Sequence, residues 1–167
     1  MLKQESRLVI VDCLLEYNDG IIVENFLDFI DYVKNKDTFK IICRFHSDID
    51  IKYLFLSLVE IKNCTLVVEE AEIYISAGAR SSEFLDLCRY GRHYNVSILG
   101  IARRSAELSI DFRALCEKII SFKQTELNDI QKLNSVGLYD LENLEQFEYT
   151  DNCTVPLLDK HYKEIIL

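Results

Sequence analysis

Short apolar runs alternate along this chain with amphipathic stretches of helical spacing, a pattern that restricts the fold to strands joined by crossover helices. The runs lie at residues 8–12 (Leu-Val-Ile-Val-Asp), 39–45, 65–68, 96–102 and 118–122. Between the first two, a turn at 18–20 precedes a predicted helix in which Ile22, Phe26, Ile30 and Val33 recur at helical spacing. Ser47 and Asp48 can cap a second helix, whose stripe is Ile51, Leu54, Phe55, Leu58 and Ile61. After a loop at 76–81, Phe84, Leu87, Cys88 and Gly91 share one helical face and leave Arg89 and Arg92 off it. A polar helix or turn spans 105–115. A further helix starts at Thr125, carries Leu127, Ile130 and Leu133, and ends at Gly137. A last short strand is expected at 154–158. Strands apolar on both faces belong inside a covered sheet. The expected fold is therefore a three-layer α/β sandwich with a mainly parallel sheet of about five strands.

Residues 1–167 are one domain in length, with a single proline and five glycines and no stretch biased enough to mark a linker. No apolar run approaches the roughly 20 residues of a membrane span, and no hydrophobic signal region opens the chain, so a cytoplasmic protein without a membrane partner is expected. The six cysteines, Cys13, Cys43, Cys64, Cys88, Cys116 and Cys153, include no C-x-x-C pair, which argues against zinc and disulfide frameworks. They read as small reduced hydrophobes. His46 and His161 lack partners at metal or nucleophile spacing. Tyr53, Phe55, Tyr139, Phe147 and Tyr149 read as core or rim residues.

A net charge of −9 opposes general nucleic-acid binding, because neutralising phosphates requires clustered lysine and arginine. The charge is unevenly placed. The stretch bounded by Arg80 and Lys123 holds eight basic and five acidic side chains, a balance of +3, leaving −12 on the remainder. That segment alone is suited to DNA.

The most specific local signal is Leu66-Val67-Val68-Glu69-Glu70-Ala71, an apolar strand ending in two acids. In open parallel sheets, ligands gather at the carboxyl ends of strands, where acids can hold Mg²⁺ and orient water. The bland alternative is a pair of solvated acids ending a strand.

Glu69-Glu70-Ala71 resembles the Asp-Glu-Ala Walker B box of FtsK/HerA-type ATPases, the P-loop group that includes DNA translocases and packaging and conjugation motors. Residues 8–17 are similar to the segment that follows that family's Walker A helix. Residues 97–104 (Ser-Ile-Leu-Gly-Ile-Ala-Arg-Arg) resemble its next strand, and residues 90–96 the basic approach to it. The resemblance spans about residues 8–133 and implies a RecA-like P-loop NTPase core. By it, Glu70 is the catalytic acid that activates water, Glu69 the Mg²⁺-associated acid, and Arg103 the polar sensor, with Mg-ATP as the cofactor.

Three departures bear on activity. Glu69 is longer than the usual aspartate by one methylene, and Mg²⁺ demands near-octahedral geometry. Arg103 has no acceptor with which to orient a water. No Gly-x-x-x-x-Gly-Lys-Ser/Thr run occurs in the sequence, so no recognisable loop cradles the β- and γ-phosphates. Either residues 8–12 align with the family's second strand and the loop's strand and helix are lost, or residues 13–20 stand in the loop's place, with Asp12, Glu16 and Asp19 repelling phosphate.

Arg89, Arg92 and His93 are spaced to share a helical face, and Arg103 and Arg104 end a strand. Arg89, Arg92 and Arg104 are candidates for an arginine finger or a DNA contact; the alternative is a solvated face forming surface ion pairs. The resemblance implies a degenerate or incomplete ATPase domain, accessory or regulatory in DNA packaging or transfer by a phage or mobile element. It would act in the host cytoplasm as a homo-oligomer or with a partner ATPase. Two alternatives stay open: an active translocating ATPase whose loop comes from another chain or lies outside this sequence, and an interaction module alone.

Overall fold

The computed structural model describes residues 7–34, 36–76, 81–117, 119 and 126–135. Five parallel strands form one sheet in the order β2-β3-β1-β4-β5. They are β1 (Arg7–Val11), β2 (Ile21–Val23), β3 (Phe39–Cys43), β4 (Cys64–Val68) and β5 (Val96–Gly100). β1 is central: Leu8 pairs with Lys40 of β3 on one side and Thr65 of β4 on the other, and Val11 with Cys43 and Val68. Its burial on both faces accounts for the unbroken apolar run Leu-Val-Ile-Val.

The helices are α1 (Phe26–Val33), α2 (Asp48–Ile61), α3 (Glu72–Ile75), α4 (Ser82–Tyr90), α5 (Ile110–Leu115) and α6 (Leu127–Ser135). All six send buried residues into one cluster, against Val9, Val11, Ile41, Cys43, Leu66 and Val68 on one face of the sheet. Its aromatic centre stacks Phe55 on Phe84 at 4.7 Å between ring centroids, with Tyr74 edge-on to Phe55. Ser47, Ser81 and Ser109 cap α2, α4 and α5 by accepting a backbone N–H in the first turn. The opposite face holds Leu8, Ile10, Ile42 and Val67, with Tyr17, Leu99 and Ile101 packed against them. No described helix is long and apolar enough to cross a membrane.

One expected helix is corrected. Ile22 belongs to β2, not to the helix that carries Phe26, Ile30 and Val33. The run Ile21-Ile22-Val23 is β-branched and pairs in parallel with Ile41-Ile42-Cys43. Asn25 then starts α1 by accepting from the Asp28 amide at 2.9 Å, so the helix begins four residues late. Gly20 packs closely just before: a Cβ there would sit 3.0 Å from the Lys40 carbonyl oxygen, a contact that only a small shift of the neighbouring strand would relieve. The strands expected at 118–122 and 154–158, and Gly137, lie outside the described residues, apart from Ile119, which is buried.

Candidate functional site

The carboxyl ends of β1, β3, β4 and β5 converge on one group of charged side chains. Asp12 and Cys13 follow β1, Arg44 follows β3, Glu69 and Glu70 follow β4, and Arg103 lies just beyond β5. The structure thus brings Glu69, Glu70 and Arg103 together, as the ends of neighbouring parallel strands must.

Asp12 is 1% exposed and organises the loop after β1. Its carboxylate accepts from the amides of Glu16 at 3.0 Å and Tyr17 at 3.3 Å, and from Arg44 Nε at 2.9 Å. Arg44 Nη2 also donates to the Tyr17 carbonyl at 2.6 Å. Tyr17 is thereby folded onto the second face of the sheet. Asp19 pairs with Lys40 at 2.7 Å. Of the three acids expected to repel phosphate, Asp12 is ion-paired with Arg44 and the exposed Asp19 meets Lys40, whereas Glu16 forms no ion pair among the described residues.

Glu70 adopts a left-handed backbone with φ of 51°, uncommon for a residue with a Cβ. Its Oε1 meets Arg103 Nε at 2.5 Å. The Arg103 amide donates to Glu72 Oε1 at 3.2 Å. The expected water-activating acid and the expected sensor are therefore paired with each other.

Glu69 is only 6% exposed, and its Oε2 has no hydrogen-bond partner. Burial raises its pKa above the usual 4.5, and Glu16, Asp12 and Glu70 add to the rise; a hydrogen bond with Tyr17 offsets part of it. The same surroundings push the Tyr17 hydroxyl up to about 12 and the Cys13 thiol to about 11, burial leading in both. A folded-state pKa above the unfolded value means that the protonated carboxyl favours the fold. That contribution is full below 4.5 and is lost as pH rises through the raised value. Glu69→Gln should therefore melt above the wild type near pH 8, and the difference should vanish below pH 4.5. Melting at or below wild type near pH 8 would show that the charged carboxylate is not a burden there.

The other arginines divide by environment. Arg104 donates through Nε and Nη2 to Asp129 of α6, at 3.1 and 3.0 Å, so it holds a loop in place. Arg89 is exposed and 3.5 Å from Asp86. α4 ends at Tyr90, and Arg92 and His93 sit on a following 3-10 turn (Gly91–Tyr94), both exposed, so the three do not share one continuous α-helix. Arg80 lies outside the described residues. Arg44, Tyr17 and Asp129 were not singled out from the sequence as site residues. A buried acid ending a central strand was the only signal that a cation such as Arg44 had to be near.

The donor set can be weighed against Mg-ATP. The unpartnered Glu69 oxygen fits one ligand to a cation, but no group of three His, Cys, Asp or Glu side chains among the described residues is arranged to hold a metal. The set does not fit a triphosphate. Arg44 and Arg103 are engaged by Asp12 and Glu70, and the loop amides of Glu16 and Tyr17 already donate to Asp12.

No family model matches the sequence, and no curated protein sequence matches it. The five-stranded, all-parallel α/β fold has counterparts among solved structures. It is similar to the genome packaging NTPase B204 from Sulfolobus turreted icosahedral virus 2: in the complex with AMP the TM-score is 0.72 at 13% identity, covering 88% of this chain and 75% of that one. The complex with AMPPCP gives 0.71 at 14% identity with the same coverage. B204, the DNA-packaging ATPase from Sulfolobus turreted icosahedral virus, gives 0.67 at 13% identity, again covering 88% and 75%.

Proposed function

We propose that this chain is a packaging-ATPase-like domain that does not turn over nucleotide alone and serves as an accessory or regulatory subunit beside a partner ATPase, in DNA packaging or transfer by a virus or mobile element. The contact between Glu70 and Arg103 carries this reading, because a carboxylate held at 2.5 Å by a guanidinium is not free to take a proton from water. The engaged amides at the end of β1 and the absence of a Gly-x-x-x-x-Gly-Lys-Ser/Thr run support it. Its place of action would be the host cytoplasm, and the segment from Arg80 to Lys123 the part that approaches DNA.

The second reading, an active ATPase completed by a phosphate loop from another polypeptide, is favoured by the placement of Glu69 and Glu70 at the carboxyl end of β4, with Glu70 as catalytic base and Glu69 toward Mg²⁺. Titration with Mg-ATP followed by thermal melting tests the first reading on the chain alone, and turnover in an assembly reconstituted with a partner tests the second. A ligand at a hundredfold its Kd stabilises the folded state by about 2.7 kcal/mol. The expected result is no shift for the chain alone at millimolar nucleotide. A clear upward shift that Glu69→Ala removes would refute the closed-site reading. In an assembly reconstituted with a partner, loss of turnover in Glu70→Gln would establish the second reading.

A further inference from the structure

The sheet ends at β2 on one side. Val23 turns its carbonyl inward, where it accepts from the Arg44 amide at 2.9 Å. Backbone groups alternate sides along a strand, so Ile22 turns its N–H and C=O outward, and no described strand pairs with them. Beside this edge lies an open groove of about 700 Å³, lined by Ile22, Val23, Glu24, Asp28, Asp31 and Tyr32.

Edge strands are commonly protected from further pairing by shortness, or by lysine, proline or another charge on the strand itself. β2 is short but carries no such residue: it reads Ile21-Ile22-Val23, with Ile21 and Ile22 43% and 41% exposed. The charge stands beside it instead, on α1 and the turn before α1. Asp28 accepts from the Asn25 side chain at 2.7 Å, and Asp31 meets the exposed Lys34 at 3.6 Å. Glu24 forms no ion pair among the described residues, and Lys36 is turned onto the Tyr32 ring, 5.3 Å from its centroid. An apolar strand edge thus adjoins a wall of three carboxylates.

We infer that the β2 edge receives an extended segment of a partner protein, with apolar and basic residues in alternation, as a further strand of the sheet. The backbone of that segment bonds to the outward groups of Ile22. Ile22 is in register with Ile42 of the second sheet face, so the segment's side chains on that face extend an apolar surface. Those on the other face lie over the groove, where Glu24, Asp28 and Asp31 favour lysine or arginine. Side chains alternate faces along a strand, and the segment must alternate with them. The same carboxylates, on a chain of net charge −9, exclude nucleic acid and an anionic membrane surface as the occupant. A second copy of β2 brings its own acids against these, which opposes like charges. This inference stands apart from whether nucleotide binds.

Fluorescence anisotropy with the whole chain and a labelled peptide, Lys-Val-Lys-Val-Lys-Val-Lys, tests it. Binding tighter than about 100 μM is expected. The rearranged peptide Lys-Lys-Val-Val-Val-Lys-Lys keeps the charge but loses the alternation, and should bind about tenfold more weakly or worse. Glu24→Lys with Asp31→Lys, both exposed positions, should weaken binding of the first peptide by a similar factor. Ile22→Pro removes the outward N–H, leaves every charge in place and suits an edge strand, and it too should weaken binding about tenfold. In the wild type, with no substitution at all, the Ile22 amide should exchange its hydrogen more slowly once the peptide is bound. No binding at about 1 mM peptide, equal binding of the rearranged peptide, binding that Ile22→Pro leaves unchanged, or an Ile22 amide that gains no protection would each overturn the inference. Sedimentation velocity showing wild-type chains that pair with one another, and lose that pairing in Ile22→Pro, would give the edge to a second copy and overturn it as well.

Discussion

Replacing Asp12 with alanine should lower the unfolding free energy by about 3–5 kcal/mol in urea titration, because it removes one side of a buried ion pair. The carboxylate accepts from two backbone amides and from Arg44, which is itself largely buried. Its loss leaves a cation and two N–H groups without an acceptor. Asp19 supplies the control. Its contact with Lys40, at 2.7 Å, is shorter than the 2.9 Å contact of Asp12, but Asp19 is 97% exposed. If distance decided, Asp19→Ala would cost more; because desolvation decides, it should cause no resolvable change. Equal losses at the two positions would discard this account of the loop.

The second large effect is expected on the far side of the site. Asp129 of α6 is 1% exposed and accepts from Arg104 twice, from the Ser105 hydroxyl at 3.3 Å and from the Ala106 amide at 2.8 Å. Asp129→Ala should cost about 2–4 kcal/mol. The Ala106 amide should then exchange its hydrogen faster, by local opening of the loop that follows Arg103. Arg104→Ala should cost less, since that side chain is partly solvated and its removal leaves the hydroxyl and amide contacts intact. Equal losses from the two substitutions would mean that only the ion pair holds the loop.

Much of this architecture was written in local pattern. β1, β3, β4 and β5 announce themselves as apolar runs, and α2 and α4 as stripes behind capping serines, because burial on two faces and burial on one leave different spacings. β2 was hidden because Ile22 sits in helical register with Phe26 and Ile30. The β-branched triplet and the capping Asn25 pointed the other way, and sheet pairing decided it. At the site, the meeting of Glu69, Glu70 and Arg103 follows from their all ending adjacent strands. What the sequence could not show is who neutralises whom. Arg44 reaches Asp12 only because β3 lies beside β1, and Asp129 reaches Arg104 across 25 positions of chain. Such pairings depend on strand order and helix docking, which no local window contains.

The central place of β1 has a consequence for synthesis. Leu8 finds its β3 neighbour at Lys40 and its β4 neighbour at Thr65, both far downstream. At roughly 5–20 residues per second, the fifty-odd residues between Leu8 and Thr65 take about 3 to 11 seconds to emerge. Through that interval a strand apolar on both faces has at most β3 beside it, and its β4 side stays open. The nascent chain thus passes its most vulnerable stage early, and the arrival of β4 ends it.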